Sequence, residues 1–234
     1  MKKALIISAC LLAVLVFFMS SSDSPEECFK KAEDYEKGKG VEQNLKEACK
    51  WYLKAAKQGH VVAQRLIGVR YLYGGAGVEK DEEEGMKWIR KSAESGCAFA
   101  QWNMGLCYLN GQGVEKNSEE AIKWFQKAGK NGHSEAFMSV GDFYSEGMDH
   151  EEAVKWYRKA AERGCVVAQV RLGNCYLEGK GVGENLLEAA KWFQRAAERG
   201  DSEGELLFKM VGALLAKEEM VRCKKSMRYK EDHD

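Results

Sequence analysis

The sequence predicts an all-α protein built from tandem helix pairs, and three observations carry that prediction. A tryptophan recurs at Trp51, Trp88, Trp124, Trp156 and Trp192, in steps of 37, 36, 32 and 36 residues. A fixed period in this range marks a repeat architecture. Within each period two stretches have helical spacing. Ala100, Met104 and Tyr108 fall at i, i+4 and i+8, and Ala121, Trp124, Phe125 and Ala128 form a second apolar stripe. Finally, the one proline, Pro25, lies ahead of the repeats, so no helix in the array is broken by one.

In chain order, residues 1–22 differ in kind from the rest. Lys2 and Lys3 precede an apolar run from Ala4 to Met19, followed by Ser20, Ser21 and Ser22. This is the order of a secretory signal, and the run is short of the roughly 20 residues that span a bilayer comfortably. A cleaved signal and an uncleaved N-terminal anchor both fit. In either case the expectation is an exported chain, periplasmic or secreted, touching membrane only through residues 4–19.

Five repeats are then expected at 27–62, 63–99, 100–135, 136–167 and 168–203. Each has a first helix, a Gly-rich turn such as Gly111-Gln112-Gly113-Val114, a second helix carrying the Trp, and a closing glycine. That closing glycine supplies the left-handed conformation that ends a helix. The fourth repeat lacks four residues of the turn, a connection where a deletion is tolerated. Residues 204–221 read as a covering helix without a Trp-bearing partner, and 222–234 as a charged tail.

Charge is high but balanced, with 36 basic and 36 acidic residues mixed at short range. That excludes the basic face nucleic acid requires, and it reads as solvated helix surface. The Gly-x-Gly turns follow helices, not strands, and no Lys-Ser/Thr closes them, so they are structural and not phosphate-binding.

The pattern A-x-x-x-[LV]-G-x-x-Y-x-x-G-x-G-V followed by A-x-x-W-[YF]-x-[KR]-A-A-x-x-G resembles the Sel-one-like repeat (SLR) family, relatives of the tetratricopeptide repeats. The resemblance covers about Glu27 to Glu203. It implies a right-handed α-solenoid superhelix of antiparallel helix pairs, working as an adaptor or scaffold, in bacteria often exported. Ala32, where other repeats have glycine, and the shortened fourth turn are the departures.

A cysteine-rich branch of that family carries disulfides within its repeats, but at the corresponding slots this chain has Ala56, Ala93, Gly129, Ala161 and Ala197. Beyond Cys10 it has Cys28, Cys49, Cys97, Cys107, Cys165, Cys175 and Cys223. Cys97/Cys107 and Cys165/Cys175 lie ten residues apart on one helix. That is about 15 Å, too far for a bond that needs Cα atoms within about 7 Å. Most of these thiols are expected to be small buried apolar groups. The residues after each closing glycine, His60, Cys97, His133, Cys165 and Asp201, line up like metal ligands. One per repeat, at a helix-packing distance of about 8–10 Å, they cannot share an ion, and they read as helix-entry residues.

Some exported members of the family have been called β-lactamases, which makes catalysis a candidate role. The chain has no Ser-x-x-Lys, Lys-Thr-Gly, Ser-Asp-Asn, H-x-H or H-E-x-x-H. No catalytic, cofactor or metal site is therefore expected. A β-lactamase-like or cell-wall-processing hydrolase and a purely structural spacer remain the alternatives to an adaptor.

What is left is surface. With the leading Ala of each first helix as position one, positions 1, 5 and 9 point into the stack, and positions 3, 4, 7 and 11 point away. The outward set is expected on the concave side, where a protein or peptide would bind. It comprises Arg65, Leu66, Val69 and Tyr73; Trp102, Asn103, Leu106 and Asn110; Met138, Asp142 and Glu146; and Val170, Arg171, Asn174 and Glu178. Several are apolar where a solvated face would be polar, and Trp, Tyr and Arg are common partner anchors. Glu146 and Glu178 suggest a partner with a basic portion.

Overall fold

The computed structural model describes residues 23–231. Among them are eleven α-helices: α1 Pro25–Lys37, α2 Leu45–Lys57, α3 Val61–Tyr73, α4 Glu82–Glu94, α5 Ala98–Asn110, α6 Ser118–Lys130, α7 Glu135–Glu146, α8 His150–Glu162, α9 Val166–Glu178, α10 Leu186–Ala197 and α11 Ser202–Glu231. The described residues form no strand, only an isolated bridge between Gly75 and Val78. The segment expected to be a signal or anchor lies outside the described residues, as do residues 232–234. No helix among the described residues is long and apolar enough to cross a membrane.

The array divides into two compact bodies, one up to Ala121 and one from Ile122. In the first, α1 packs on α2 and α3 on α4, with α2 on α3 and α4 on α5 joining successive repeats. In the second, α7 packs on α8 and α9 on α10, with α8 on α9 and α10 on α11 as the joints. This is the solenoid logic of the sequence: each pair buries one stripe internally and the other against its neighbour.

Every second helix is built from the same parts. An Asn or Asp N-cap accepts from the backbone N–H of a Glu three residues on: Asn44 from Glu47, Asp81 from Glu84, Asp149 from Glu152 and Asn185 from Glu188. That Glu pairs with a Lys three residues further, as Lys50, Lys87, Lys155 and Lys191 do. The Trp follows, and a cation one turn later covers its ring. Lys54, Lys91, Lys127, Lys159 and Arg195 lie 3.6–4.6 Å from the ring centroids of Trp51, Trp88, Trp124, Trp156 and Trp192. The W-[YF]-x-[KR] spacing is therefore a shield for a large apolar ring at the stack's rim.

The turn glycines set the distance between repeats. A Cβ on Gly113 would strike the backbone carbonyl of Glu82 at the start of α4, and one on Gly181 would strike that of His150 at the start of α8. Gly40 of the first repeat has nothing within 4 Å. The fourth repeat closes its short turn differently. Gly147 keeps φ −75°, and the left-handed residue is Met148, at φ +63°.

α11 exceeds the expected cover. It is 30 residues long, against 12 or 13 for every other helix, and continues through residues expected as a tail. Its inner face holds Gly204, Leu207, Phe208, Val211 and Leu215, with Val211 fully buried.

Candidate functional site

Most of the stripe assigned to the stack is where it was expected, although position nine is buried only at Tyr176 and half-buried at Tyr71, Tyr108 and Tyr144. Positions one and five of the complete first helices, Ala63 and Ile67, Ala100 and Met104, Ala136 and Val140, Ala168 and Leu172, are all buried. At position six a glycine admits the second helix. A Cβ on Gly68 would lie 2.7 Å from Ile89 Cγ1, and one on Gly173 would lie 2.5 Å from the Phe193 ring.

In the first body the outward residues of α3 and α5 are partly or fully open. Arg65, Leu66, Val69, Trp102, Asn103 and Leu106 are half-buried, and Tyr73 and Asn110 are exposed. Arg65 stacks its guanidinium over the Phe99 ring at 5.7 Å. The Tyr73 hydroxyl is 3.5 Å from Gln112 Oε1.

In the second body the set is mixed. Val170 is only 5% exposed, so it belongs to the core and is withdrawn as a contact residue. The reason is its neighbourhood: the α9 face there meets the start of α11, forming a small cleft with Asp201 and Glu203. Asp142 is half-buried and accepts a 2.8 Å hydrogen bond from the Tyr157 hydroxyl, so its carboxylate is already engaged. Burial, and after it that bond, push the Tyr157 phenol well above its ordinary pKa. Met138 and Asn174 are half-buried, and Glu146, Arg171 and Glu178 are exposed.

Two sets of residues escaped the sequence reading. Val62, Phe99 and Val167 precede the leading Ala, and all three are exposed. At 100° per residue that position lies on the same face as positions 3, 4, 7 and 11, so extending the stripe back one turn finds them. The second set is Gln64, Gln101 and Gln169, buried at position two. Each side-chain amide donates to the carbonyl of Ala56, Ala93 or Ala161 at the end of the preceding helix. The repeated Ala-Gln pair was the available signal.

Four of the five helix-entry residues sit at the entry of their helices, while the N-cap of α7 is Ser134, one past His133. His60 Nδ1 accepts from the Ala63 N–H at 3.1 Å, and Asp201 Oδ1 from the Gly204 N–H at 2.6 Å. Cys97 and Cys165 hold the same place without a side-chain cap. Cys28, Cys49, Cys107 and Cys165 are buried and unbridged. Burial pushes the Cys107 thiol up to about 12 and also raises Cys49, Cys165 and Cys175. Cys10 lies outside the described residues, and the structure describes only the backbone at Cys223.

This geometry defines a class: an α-solenoid of glycine-turned helix pairs presenting a variable outer face. The Sel1 repeat model matches at residues 28–60, 61–97, 98–133, 137–165 and 166–201, and the chain belongs to the Sel1 repeat family. Among solved structures it is similar to a Sel1 repeat protein from Oxalobacter formigenes, at 37% identity and a TM-score of 0.70, covering 81% of this chain and 80% of that one. It is also similar to c5321, a protective antigen of uropathogenic Escherichia coli strains with an SLR fold. There the identity is 34% and the TM-score 0.71, over 84% of this chain and 43% of that one. The immunity protein Pa5087 from Pseudomonas aeruginosa, at 20% identity and a TM-score of 0.52 over 82% and 81% of the two chains, shares the fold. No curated protein matches the chain. Sel1 repeat proteins are generally protein-interaction scaffolds and typically not enzymes.

Proposed function

We propose that this chain is an exported adaptor that holds a protein segment or peptide along the outward face of its first helices. One observation carries the reading. On α3 and α5 the same helical face carries Val62, Leu66, Val69 and Tyr73 and Phe99, Trp102 and Leu106, none of them buried. Aromatic and aliphatic residues clustered on an accessible face are typical of partner anchors. In the second body, the corresponding positions of α7 and α9 include exposed Glu146 and Glu178, which favour basic residues in whatever binds there. Export rests on Lys2, Lys3 and the apolar run from Ala4 to Met19.

Trp102→Ala with Leu106→Ala is expected to abolish capture of native envelope partners while the helical circular dichroism signal stays intact. Unchanged capture by a folded double variant would falsify the assignment. Export is checked separately by fractionating cells expressing the full chain and reading the mature N-terminus. Protein retained in the cytoplasm with residues 1–22 intact overturns it.

A further inference from the structure

The covering helix has two apolar faces, and the repeats use only one. Away from the packed face, Leu206 is 67% exposed, Met210 43% and, further along, Met220 56%, while Leu214 and Val221 are exposed on the flank. Residues 203, 206, 210, 213, 217, 220 and 224 alternate steps of three and four, the seam of a coiled coil over three heptads. The seam reads Glu203, Leu206, Met210, Ala213, Lys217, Met220, Lys224.

Two features exclude a further second helix of the family type as the occupant. At position six, where Gly68, Gly141 and Gly173 admit their partner helices, α11 has Lys209, paired with Glu205 at 2.6 Å. The seam also runs past the length of a repeat helix. On its flank, Leu214, Lys217 and Val221 form one wall of an open groove of about 650 Å³, with Leu177 and Leu186 across from them.

The charge order selects the occupant. Glu203 opens the seam, and Lys217 and Lys224 lie in its later half. A parallel copy would place like charges together, whereas an antiparallel copy sets each acidic start against the basic end of the other. A two-fold axis near Ala213 achieves this and brings the smallest seam residue to the closest approach. An isologous interface requires such self-complementarity.

We propose that α11 pairs antiparallel with α11 of a second copy, making the chain a two-fold dimer through its last helix. Leu206, Met210 and Met220 form the apolar contact, and Glu203 faces the basic end of the other copy.

The test uses the full chain in mild detergent, followed by sedimentation equilibrium and light scattering. A dimer is expected, and Leu206→Asp with Met210→Asp should weaken it by at least about tenfold, since burying two unpaired charges exceeds 1.4 kcal/mol. Helicity should be unchanged, because both residues are exposed. If that variant loses helicity, Lys217→Glu with Lys224→Glu, which only reverses charge on the seam, takes its place with the same expectation. Ala213→Cys in a Cys223→Ser background should form an intermolecular disulfide under mild oxidation, which needs Cα atoms within about 7 Å. A chain that is monomeric at every concentration overturns the proposal, as does a dimer indifferent to these substitutions. A dimer that persists without the Ala213→Cys cross-link overturns the antiparallel arrangement.

Discussion

Met148 occupies the left-handed region at φ +63° with its side chain 83% exposed, so it carries backbone strain without a packing return. A non-glycine residue there costs about 1–2 kcal/mol, and glycine returns roughly 0.5–1 of that as lost chain entropy. Met148→Gly is therefore expected to stabilise the protein by up to about 1 kcal/mol, read as a raised denaturation midpoint. The turn glycines predict a contrast. Gly40→Ala meets only backbone strain, about 1 kcal/mol, while Gly181→Ala also drives a methyl into the His150 carbonyl and should cost clearly more. Equal losses in urea titrations of the two variants would mean that the turn does not set the repeat spacing. His133 gives a pH signature. Its buried imidazole is held below its ordinary 6.5 by desolvation, which outweighs the Glu135 carboxylate 3.1 Å from Nδ1. The neutral form is favoured in the fold, so the associated stability is complete above pH 6.5 and is lost as pH falls from there towards the folded value. His133→Asn should flatten the slope of stability against pH below 6.5 in denaturant titrations at several pH values.

At the scale of the helix, the cation over each Trp ring is the testable part. Removing one, as in Lys159→Ala beneath Trp156, should cost about 0.5–1 kcal/mol and expose the indole, shifting its fluorescence to the red. A swap to Arg should preserve both. These elements were legible because each anchor has one repeated cause. The Trp spacing gave the period, the apolar stripes gave the helix faces, and the closing glycines marked the helix ends. Val170 was misplaced because a helical wheel knows its own helix but not the next one, and α11 covers that position. The hydrogen bond that Asp142 accepts was hidden for a related reason: it comes from Tyr157 on another helix. The length of α11 was obscured because apolar residues on both of its faces leave no single stripe to follow, and its charged latter half resembles a tail.

Across the whole molecule, a repeat array has no central core whose loss unfolds everything at once. Stability is close to a sum of repeat terms and nearest-neighbour joints. A local defect should then be felt by the helices packed on it and fade along the chain. Gly173→Ala is a suitable defect, since its methyl would lie 2.5 Å from the ring of Phe193, which is fully buried and has little room to move. Overpacking of this kind costs about 1–3 kcal/mol. α9 packs on α8 and α10, and α10 packs on α11. Amide hydrogen exchange of Gly173→Ala is therefore expected to lose protection in α8 through α11, while α1 and α2 keep theirs. A uniform loss over all eleven helices would instead mean that the repeats unfold as a single cooperative block. The additive account of the array would then be wrong, however regular its sequence.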